Sequence, residues 1–329
     1  MGLKQRFFFY LLPPYRKGRR SAEGGRIKKA KLIFNPLAGK GKEVKPTLRK
    51  IKVGLKKREP ELKMDVSFSR EQGDATACAW EAVRQGYEAV IAAGGDGTIN
   101  EVIQALAGTK VVLGIIPLGV GNIFAQEIGI PVDVDLACEV LSFGEVERVD
   151  LGKMGEHHFL WIAGVGQDAQ VVQALDEVSK EAMTTYSYLR LALNQLRKIH
   201  PMQVKVQVDG EVVEQRAIMV EVGNAATFDD GKRVRVRPRE SINDGYLDVC
   251  IIGRFNAISV FRGVYRFFSG HHNCYYDIKY LSHKYYKAKE VIIDSYPPTF
   301  IHLDGEPRGM TPAKFEVAPK SLSLILPPR

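Results

Sequence analysis

Glycine, threonine and aspartate residues in one short loop have the types and spacing needed to bind a phosphate group. The loop is Gly94-Gly95-Asp96-Gly97-Thr98, between an apolar run over 88–93 and a helical apolar spacing over 99–107. A glycine-rich turn from a strand into a helix lets the backbone approach an anion, which the free N–H groups of the first helical turn then bind. Since an aspartate there repels a phosphate unless a cation lies between them, the loop predicts a nucleotide phosphate with Mg²⁺ and hence phosphoryl transfer.

The acidic residues of this and two later motifs also have ordinary structural interpretations. Asp96 has the type and position of an N-cap for a helix beginning near Thr98. The motifs Asp304-Gly305-Glu306 and Asp244-Gly245 both fit common Asp-Gly turns. From these residues alone, a functional and a structural role stay open at all three places.

The phosphate loop must belong to a mostly parallel sheet, because strand and helix signals alternate from residue 30 to 150. Loops 35–41, 94–98 and 117–122 each follow a predicted strand, and the carboxyl ends of parallel strands meet at one edge of a sheet. We therefore expect these three glycine-bearing loops to form one ligand site. The predicted strands cover 31–35, 64–68, 88–93 and 111–116. The first predicted helix ends near residue 57, and the others cover 73–85, 99–107 and the last part of 117–128.

From about residue 150 the pattern changes to β-type segments. Val204, Val206 and Val208 alternate with polar residues, and Asp209-Gly210 is typical of a two-residue hairpin turn. We expect an antiparallel sandwich with one helical insert near 183–198 and a ligand cleft between the two domains. The predicted strands are 158–165, 203–209, 212–222, 245–252, 276–281, 289–294 and 299–304.

Charge and cysteine content limit the class of protein. The 329 residues carry a net charge of +9, and residues 1–58 hold 19 lysines and arginines against 2 glutamates. This asymmetry is typical of a face that meets phosphate-rich partners, among which are a membrane surface, a nucleotide and nucleic acid. The four cysteines lack CxxC spacing, which favours a reducing, cytoplasmic compartment over a disulfide framework or a zinc site.

Residues 1–26 form a predicted arm that joins a short apolar run to basic residues. The run over 7–12 is too short to span a membrane, and Pro13-Pro14 ends it. Arg16, Lys17, Arg19 and Arg20 follow. Two interpretations of this arm stay open. It attaches the protein peripherally to a membrane surface, or it is a basic tail surrounded by solvent.

A series of short motifs, in order over roughly residues 28–328, resembles the diacylglycerol-kinase-type lipid kinases, in particular the soluble bacterial lipid kinases of the diacylglycerol and sphingosine kinase kind. NAD kinases share the motif at 94–98, but the motifs at 223–224 and 243–248 and the position of 304–306 favour the lipid kinases. The motifs are Asn35-Pro36-x-x-Gly39, 94–102, 117–122, Ile130-Pro131, 149–152, 164–169, Gly223-Asn224, 243–248 and Asp304-Gly305-Glu306.

The resemblance implies an α/β nucleotide-binding domain of the NAD kinase and diacylglycerol kinase type, over 27–149, and a mainly antiparallel β-sandwich carrying the lipid site, over 150–317. It implies that the last segment, 318–329, returns to the first domain. The implied reaction transfers the γ-phosphoryl group of ATP to a lipid hydroxyl, with Mg²⁺. The implied partners are ATP, a lipid substrate at a membrane surface and a second copy in a homodimer, with no nucleic acid.

The resemblance also assigns roles to individual residues. Asp304 would be the general base that takes the proton of the lipid hydroxyl, and Asp96, Asp150 and Glu306 would form an acidic network around Mg²⁺. Asp244, with the backbone carbonyls of Ser241 and Tyr246, would match a structural Mg²⁺ site of some bacterial members. The implied nucleotide-binding residues are Asn35, Gly39, Gly94, Gly95, Gly97, Thr98, Gly119 and Asn122.

The chain departs from the pattern at two positions of the third loop. Ile123 stands where many relatives have aspartate, which removes one carboxylate, and Val120 stands where a hydroxyl residue is common. We expect diacylglycerol as the substrate and phosphatidic acid as the product. The alternatives are another lipid alcohol, such as a sphingoid base, ceramide, monoacylglycerol or phosphatidylglycerol, and a regulator that binds nucleotide or lipid without turnover.

Overall fold

A computed structural model describes residues 27–39, 43–166, 201–224, 242–254 and 282–328. Its first half alternates strands and helices, as the hydrophobic periodicity predicts. The elements are β1 (Lys29–Phe34), α1 (Val44–Arg58), β2 (Lys63–Phe68), α2 (Asp74–Arg84), β3 (Ala89–Gly94), α3 (Asp96–Leu106), β4 (Val112–Pro117), α4 (Ile123–Glu127) and α5 (Val134–Phe143).

Four parallel strands of this half lie in the order β2-β1-β3-β4. All six residues of β3 are buried, which is typical of a parallel strand covered by helices on both faces. Backbone bonds continue past the strand ends, from Asn35 N–H to the Ala93 carbonyl (2.9 Å) and from Leu118 N–H to the Gly94 carbonyl (2.8 Å). The three predicted loops therefore start side by side at one edge of the sheet.

The second half consists of strands in two sheets. Its elements are β5 (Glu145–Met154), β6 (His157–Phe159), β7 (Ile162–Gly166), β8 (Met202–Val208), β9 (Glu211–Ala217), β10 (Met219–Gly223), β11 (Leu247–Arg254), β12 (Ser282–Ala288), β13 (Glu290–Tyr296), β14 (Phe300–Leu303), β15 (Glu306–Met310) and β16 (Ala313–Leu326). One sheet is antiparallel and six-stranded, in the order β12-β11-β10-β7-β14-β15. The other six strands join the parallel strands in a ten-stranded sheet.

The long strand β16 connects the two halves of the ten-stranded sheet. Its first part pairs with β13, its second part lies parallel to β4 at Ser323 and Leu324, and β5 pairs with both parts. The pairing with β5 shifts register between Ala318 and Leu322, where Lys320 has a positive φ of 48°. The last segment of the chain is thus hydrogen-bonded to the parallel strands.

Apolar side chains fill two cores. The first contains Leu32, Ile103 and Ile115 between the parallel strands and their helices. The second lies between the two sheets of the second half, where the rings of Phe159 and Phe315 meet edge to face with centroids 6.5 Å apart. The mixed fold predicted from the sequence, α/β followed by antiparallel strands, is confirmed.

The predicted hairpin at Asp209-Gly210 is confirmed. Both residues have positive φ, and the turn joins β8 to β9 with Val208 opposite Glu211. The prediction of one strand over 212–222 is wrong, because the chain changes sheets at Ile218, leaving β9 in the ten-stranded sheet and β10 in the six-stranded one. Apolar alternation continues through that step, so the sequence pattern hides it.

Helix α5 is missing from the sequence-based prediction, although its start signal is present. The Asp133 carboxylate accepts hydrogen bonds from the N–H groups of Asp135 and Leu136, which is an ordinary N-cap. The predicted helix over 183–198 and the predicted strand over 276–281 lie outside the described residues. In the part of the chain that is described, none of the helices has the length and apolar content needed to cross a membrane.

Candidate active site

The loop after β1 is tied to the loop after β3 by one side chain. Asn35 Nδ2 donates to Thr98 Oγ1 (2.9 Å), and Asn35 Oδ1 accepts from the Leu37 N–H group (2.9 Å). Gly39, two residues further, has a φ of +74° that favours glycine. Two residues predicted to bind nucleotide, Asn35 and Thr98, are therefore in direct contact.

The loops after β3 and β4 approach so closely that they require glycine. A Cβ atom on Gly119 would lie 2.6 Å from the Cα atom of Gly95 and 2.8 Å from Asn122 Oδ1. A Cβ atom on Gly94 would lie 2.4 Å from Thr98 Oγ1. Because backbone atoms cannot move aside as a flexible side chain can, Gly95 and Gly119 bring two backbones together with little room for a side chain between them.

Asp96 links the same two loops through its carboxylate. Its oxygens accept hydrogen bonds from the N–H groups of Ile123 (3.1 Å) and Phe124 (3.2 Å), at the start of α4. Helix α3 has Gly95 as its N-cap and no capping bond from a side chain. The interpretation of Asp96 as the cap of its own helix is therefore wrong, since its capping bonds go to α4.

Asn122 places a buried acceptor beside the glycines. Its side chain is only 4% exposed, and Nδ2 donates to the Gly119 carbonyl (2.9 Å). Within the described ranges, Oδ1 has no hydrogen-bond partner. Because a buried acceptor without a donor is costly, Oδ1 is suited to a donor that arrives with a ligand, such as a sugar hydroxyl or a metal-bound water.

Val120 and Ile123 sit at the tip of the third loop. Val120 is 83% exposed and Ile123 is 40% exposed. Ile123 contributes its backbone N–H to Asp96, so the substitution of the usual aspartate removes a carboxylate without breaking the loop-to-loop bond.

Asp304 lies where the second half of the chain meets α3. Its carboxylate accepts backbone N–H bonds from Leu160 (2.8 Å), Trp161 (2.9 Å) and Ile162 (2.9 Å), together with one from Asn100 Nδ2 (2.9 Å). Asp304 has a φ of +50°, in the left-handed region that aspartate tolerates better than most residues. The Asp-Gly turn predicted as the structural alternative is present, and its carboxylate also contacts Asn100 on α3, in the other half of the chain.

Burial raises the pKa of Asp304 above its ordinary value, although the bonds from Leu160, Ile162, Asn100 and Trp161 lower it. A raised pKa makes a carboxylate a stronger base, which suits proton transfer from a hydroxyl. Glu306 lies nearby, because a Cβ atom on Gly97 would be 3.4 Å from Glu306 Oε1. Asp304 and Glu306 therefore both face the first turns of α3.

The acidic residues at this junction suit a Mg²⁺ ion that is bound jointly by the protein and the substrate phosphates, rather than one bound entirely by protein side chains. Among the residues described, no three histidine, cysteine or acidic side chains converge into a ready-made metal site. Mg²⁺ in phosphoryl-transfer sites takes one or two carboxylates and completes its shell with water and substrate phosphates. Asp96, at the start of α3, and Glu306, beside Gly97, are the carboxylates predicted for that role.

Asp150 is held away from solvent by backbone donors. It is 1% exposed, and its two oxygens accept from Lys320 N–H (2.6 Å) and Gly245 N–H (2.7 Å). Its own N–H donates to the Ile242 carbonyl (2.7 Å). Asp150 thus joins the turn at 242–246 to β16, and its role in a Mg²⁺ network stays a prediction.

The predicted structural metal site is only partly described. Ser241 lies outside the described residues. Asp244 Oδ1 accepts from the Tyr246 N–H group (3.0 Å), and Oδ2 contacts Lys287 Nζ (2.7 Å). The Asp244-Gly245 turn predicted as the structural alternative is therefore present, with a lysine against its carboxylate.

A second contact across the junction, made of two hydrogen bonds, was not predicted from the sequence. Gln104 Nε2 donates to the His158 carbonyl, and the His158 N–H group donates to Gln104 Oε1, both at 2.9 Å. Asn100 and Gln104 are one helical turn apart on α3, so their side chains share a face. The sequence signal that could have indicated this contact is the pair of amide side chains four residues apart on the helix.

The two halves of the chain match two family models. Residues 29–154 match the diacylglycerol kinase catalytic domain, and residues 162–326 match the YegS C-terminal NAD kinase beta sandwich-like domain. A curated relative, the diacylglycerol kinase of Staphylococcus saprophyticus, is 30% identical over 293 residues, which cover 88% of this chain and 92% of the relative.

Solved structures show the same similarity. A crystal structure of a diacylglycerol kinase from Bacillus anthracis str. Sterne superposes with a TM-score of 0.68 and 26% identity, covering 93% of this chain and 99% of that one. Yeast NADH kinase complexed with NADH superposes with a TM-score of 0.50 and 10% identity, over 91% of this chain and 82% of that one. At that identity, the second likeness concerns the fold alone.

Proposed function

This chain belongs to the diacylglycerol kinase catalytic domain family and is a lipid kinase, and on that premise we propose that it transfers the γ-phosphoryl group of ATP to diacylglycerol in the presence of Mg²⁺. One observation carries the proposal, which is the bond from Asn100 to Asp304. It fixes a carboxylate of raised pKa beside the helix that begins at the glycine loop. Base and phosphate site are then close enough to act on one acceptor hydroxyl.

The glycine loops and the start of α3 bind the nucleotide phosphates in this proposal. The close approach of Gly95 and Gly119 exposes backbone rather than side chain, and Asn35 holds Thr98 in place. Mg²⁺, held by Asp96 and Glu306, would neutralise charge on the phosphates during transfer. Positioning and charge neutralisation supply most of the catalysis in such reactions.

Asp304 receives the proton of the lipid hydroxyl. A carboxylate has about four lone-pair sites, and the bonds from Leu160, Trp161, Ile162 and Asn100 occupy all of them. Three of these donors are backbone N–H groups, so Asn100 is the donor that a side-chain rotation can withdraw. We propose that Asn100 swings away as the acceptor hydroxyl takes its place on Asp304.

The substrate lies in a membrane, so the enzyme must work at its surface. We propose that residues 1–26, with their apolar run and basic residues, attach the chain peripherally to anionic lipid. Cosedimentation with vesicles should fall when residues 1–26 are deleted, while activity on detergent-dispersed lipid stays. Unchanged cosedimentation would remove the arm from this role.

The test is transfer of labelled γ-phosphate from ATP to lipids in mixed micelles. The panel contains diacylglycerol, monoacylglycerol, a sphingoid base, ceramide and phosphatidylglycerol, with NAD as a further acceptor. Diacylglycerol should be phosphorylated, and Asp304→Asn should cut the rate by about 10²–10⁴-fold while ATP binding persists.

Asp209→Asn is the matched control for the Asp304 variant. Asp209 also has positive φ in an Asp-Gly turn, and it also accepts backbone N–H bonds, from Lys289 and Glu290. It lies in the hairpin between β8 and β9, so its variant should keep the rate. Transfer to a different lipid would reassign the substrate, and ATP binding without transfer to any acceptor would favour the regulator.

A further inference from the structure

Lys287 occupies the place at the turn 242–246 where related bacterial enzymes are expected to hold a metal ion. We propose that the ammonium group of Lys287 replaces that divalent cation, so that this chain holds the turn without a metal. The inference concerns a site other than the proposed active site, and it does not depend on the identity of the substrate.

The contacts of Asp244 show that the carboxylate already has its counter-ion. Oδ2 lies 2.7 Å from Lys287 Nζ, and Oδ1 accepts the N–H group of Tyr246 at 3.0 Å. Mg²⁺ needs oxygen ligands at about 2.0–2.1 Å in near-octahedral geometry. Both oxygens of the carboxylate are therefore engaged, one by the ammonium group and the other by a backbone N–H group.

Strand pairing puts Lys287 at this position. Lys287 lies opposite Asp248 in the antiparallel pair of β12 with β11, one residue from the end of the register at Leu247 and Ala288. The turn at 242–246 leads directly into β11. The register therefore places Lys287 within reach of the turn, and the side-chain rotamer in the structure brings Nζ to the Asp244 carboxylate.

Two ammonium groups already lie at this turn. Lys287 is in contact with Asp244, and Lys289 is the second. Lys289 Nζ lies 5.4 Å from the ring centroid of Tyr246, on the same turn. A divalent cation at Asp244 would add like charge beside two ammonium groups, and their repulsion opposes its binding.

The lysine thereby stabilises more than a local turn. Gly245 N–H donates to Asp150 Oδ2, and the Ile242 carbonyl accepts from Asp150 N–H, both at 2.7 Å. Asp150 in turn holds Lys320, at the irregular point of β16. The ion pair of Asp244 with Lys287 therefore supports the contact between the turn and the strand that joins the two domains.

Thermal unfolding of the nucleotide-free full chain tests this proposal, with Mg²⁺ or EDTA as the only added probe. The wild-type Tm should be the same in both. Lys287→Met should lower the Tm in EDTA by roughly 1–3 °C, the loss expected for one half-exposed ion pair in a chain of this size, and Mg²⁺ should restore it. Lys284→Met, on the same strand with the same change of charge, should behave as wild type.

The Asp244→Asn variant assigns any metal response to this turn rather than to Asp96 and Glu306. A wild-type Tm that rises with Mg²⁺ and loses the rise in Asp244→Asn would overturn the proposal, because the site would then bind metal with Lys287 present. Lys287→Met with an unchanged Tm, or with a lowered Tm that Mg²⁺ fails to restore, would also overturn it. None of these results depends on kinase activity, so a different substrate would leave the conclusion intact.

Discussion

The side-chain amide of Asn100 donates to Asp304 Oδ2 at 2.9 Å and so joins two residues that are 204 positions apart. Asn100 lies on α3 of the first domain, and Asp304 follows β14 of the second. Among the donors to this carboxylate that lie in the described ranges, Asn100 alone acts through a side chain. The contact between the two halves of the chain and the ionisation of the proposed base are therefore linked through one amide.

Asn100→Ala should move the acid limb of the pH–rate profile to higher pH. The amide stabilises the charged carboxylate, so its loss raises the pKa of Asp304 further, and more of the base is protonated at neutral pH. A hydrogen bond to a charged group is worth about 1.5–3 kcal/mol, which corresponds to about 1–2 pH units. Initial rates at saturating ATP and subsaturating lipid over a range of pH would measure the shift, because they report the enzyme before the hydroxyl replaces Asn100.

Gln104→Ala provides the control for this variant. It removes the bonds to His158 and the bonds from Gln104 Nε2 to the Asn100 carbonyl (2.9 Å) and to Asn100 Oδ1 (3.4 Å), but it keeps the Asn100 amide that donates to Asp304. Its acid limb should stay at the wild-type pH, whatever it does to stability. An acid limb that moves equally in both variants would trace the shift to general loosening of the junction and contradict the link to Asp304.

Gly119→Ala should weaken nucleotide binding. The new methyl group would lie 2.6 Å from Gly95 Cα, and a backbone atom cannot yield without opening the loop pair. Overpacking of this kind typically costs about 1–3 kcal/mol. Titration calorimetry with an ATP analogue should show a Kd that is weaker by about 5- to 150-fold, since each 1.4 kcal/mol is tenfold.

Gly121→Ala, in the same loop, is the matched control. Its methyl group would meet Ile123 Cγ1 at 3.4 Å and Asp96 Oδ2 at 3.5 Å, which are ordinary contacts. We expect affinity and Tm near those of the wild type. Equal damage from the two alanines would mean that the loop tolerates no side chain anywhere, and that the approach of Gly95 to Gly119 is not the specific constraint.

Acid should destabilise the chain through His158. Burial lowers the pKa of this imidazole, as do the nearby charges of Lys153 and His157, against the opposing effect of Glu156. Below about pH 6.5 the unfolded chain therefore binds a proton that the folded chain resists, and the free energy of unfolding falls as the pH drops. Urea unfolding at about pH 7.5 and 5.5 should show less loss for His158→Gln than for wild type.

His157→Gln is the comparison for that experiment. His157 is exposed on the same short strand, and its variant should keep the acid sensitivity of the wild type. The bonds of residue 158 to Gln104 use backbone atoms, so His158→Gln leaves them intact. A wild-type pH dependence in His158→Gln would assign the acid sensitivity to other groups.

The parts of the site that lie on the first domain were accessible from sequence, because parallel strands fix which loops are neighbours. Asn35, Gly95 and Gly119 follow three such strands, and they meet as expected. The Asn100–Asp304 bond was not accessible, since it depends on how two domains pack. Lys287 was hidden for a related reason, because its partner Asp244 is set by the register of β11 and β12 and not by spacing along the chain.

Strand β16 determines the order in which the chain can complete its fold during synthesis. It follows every other described strand in the chain, yet it supplies the pairing between β4 and β13 that makes the two halves of the ten-stranded sheet continuous. Until the ribosome has released this segment, β4 and β13 both present unpaired edges, which are templates for aggregation. The parallel part of the sheet, although encoded first, is thus completed only after the strands of the second half have been synthesised.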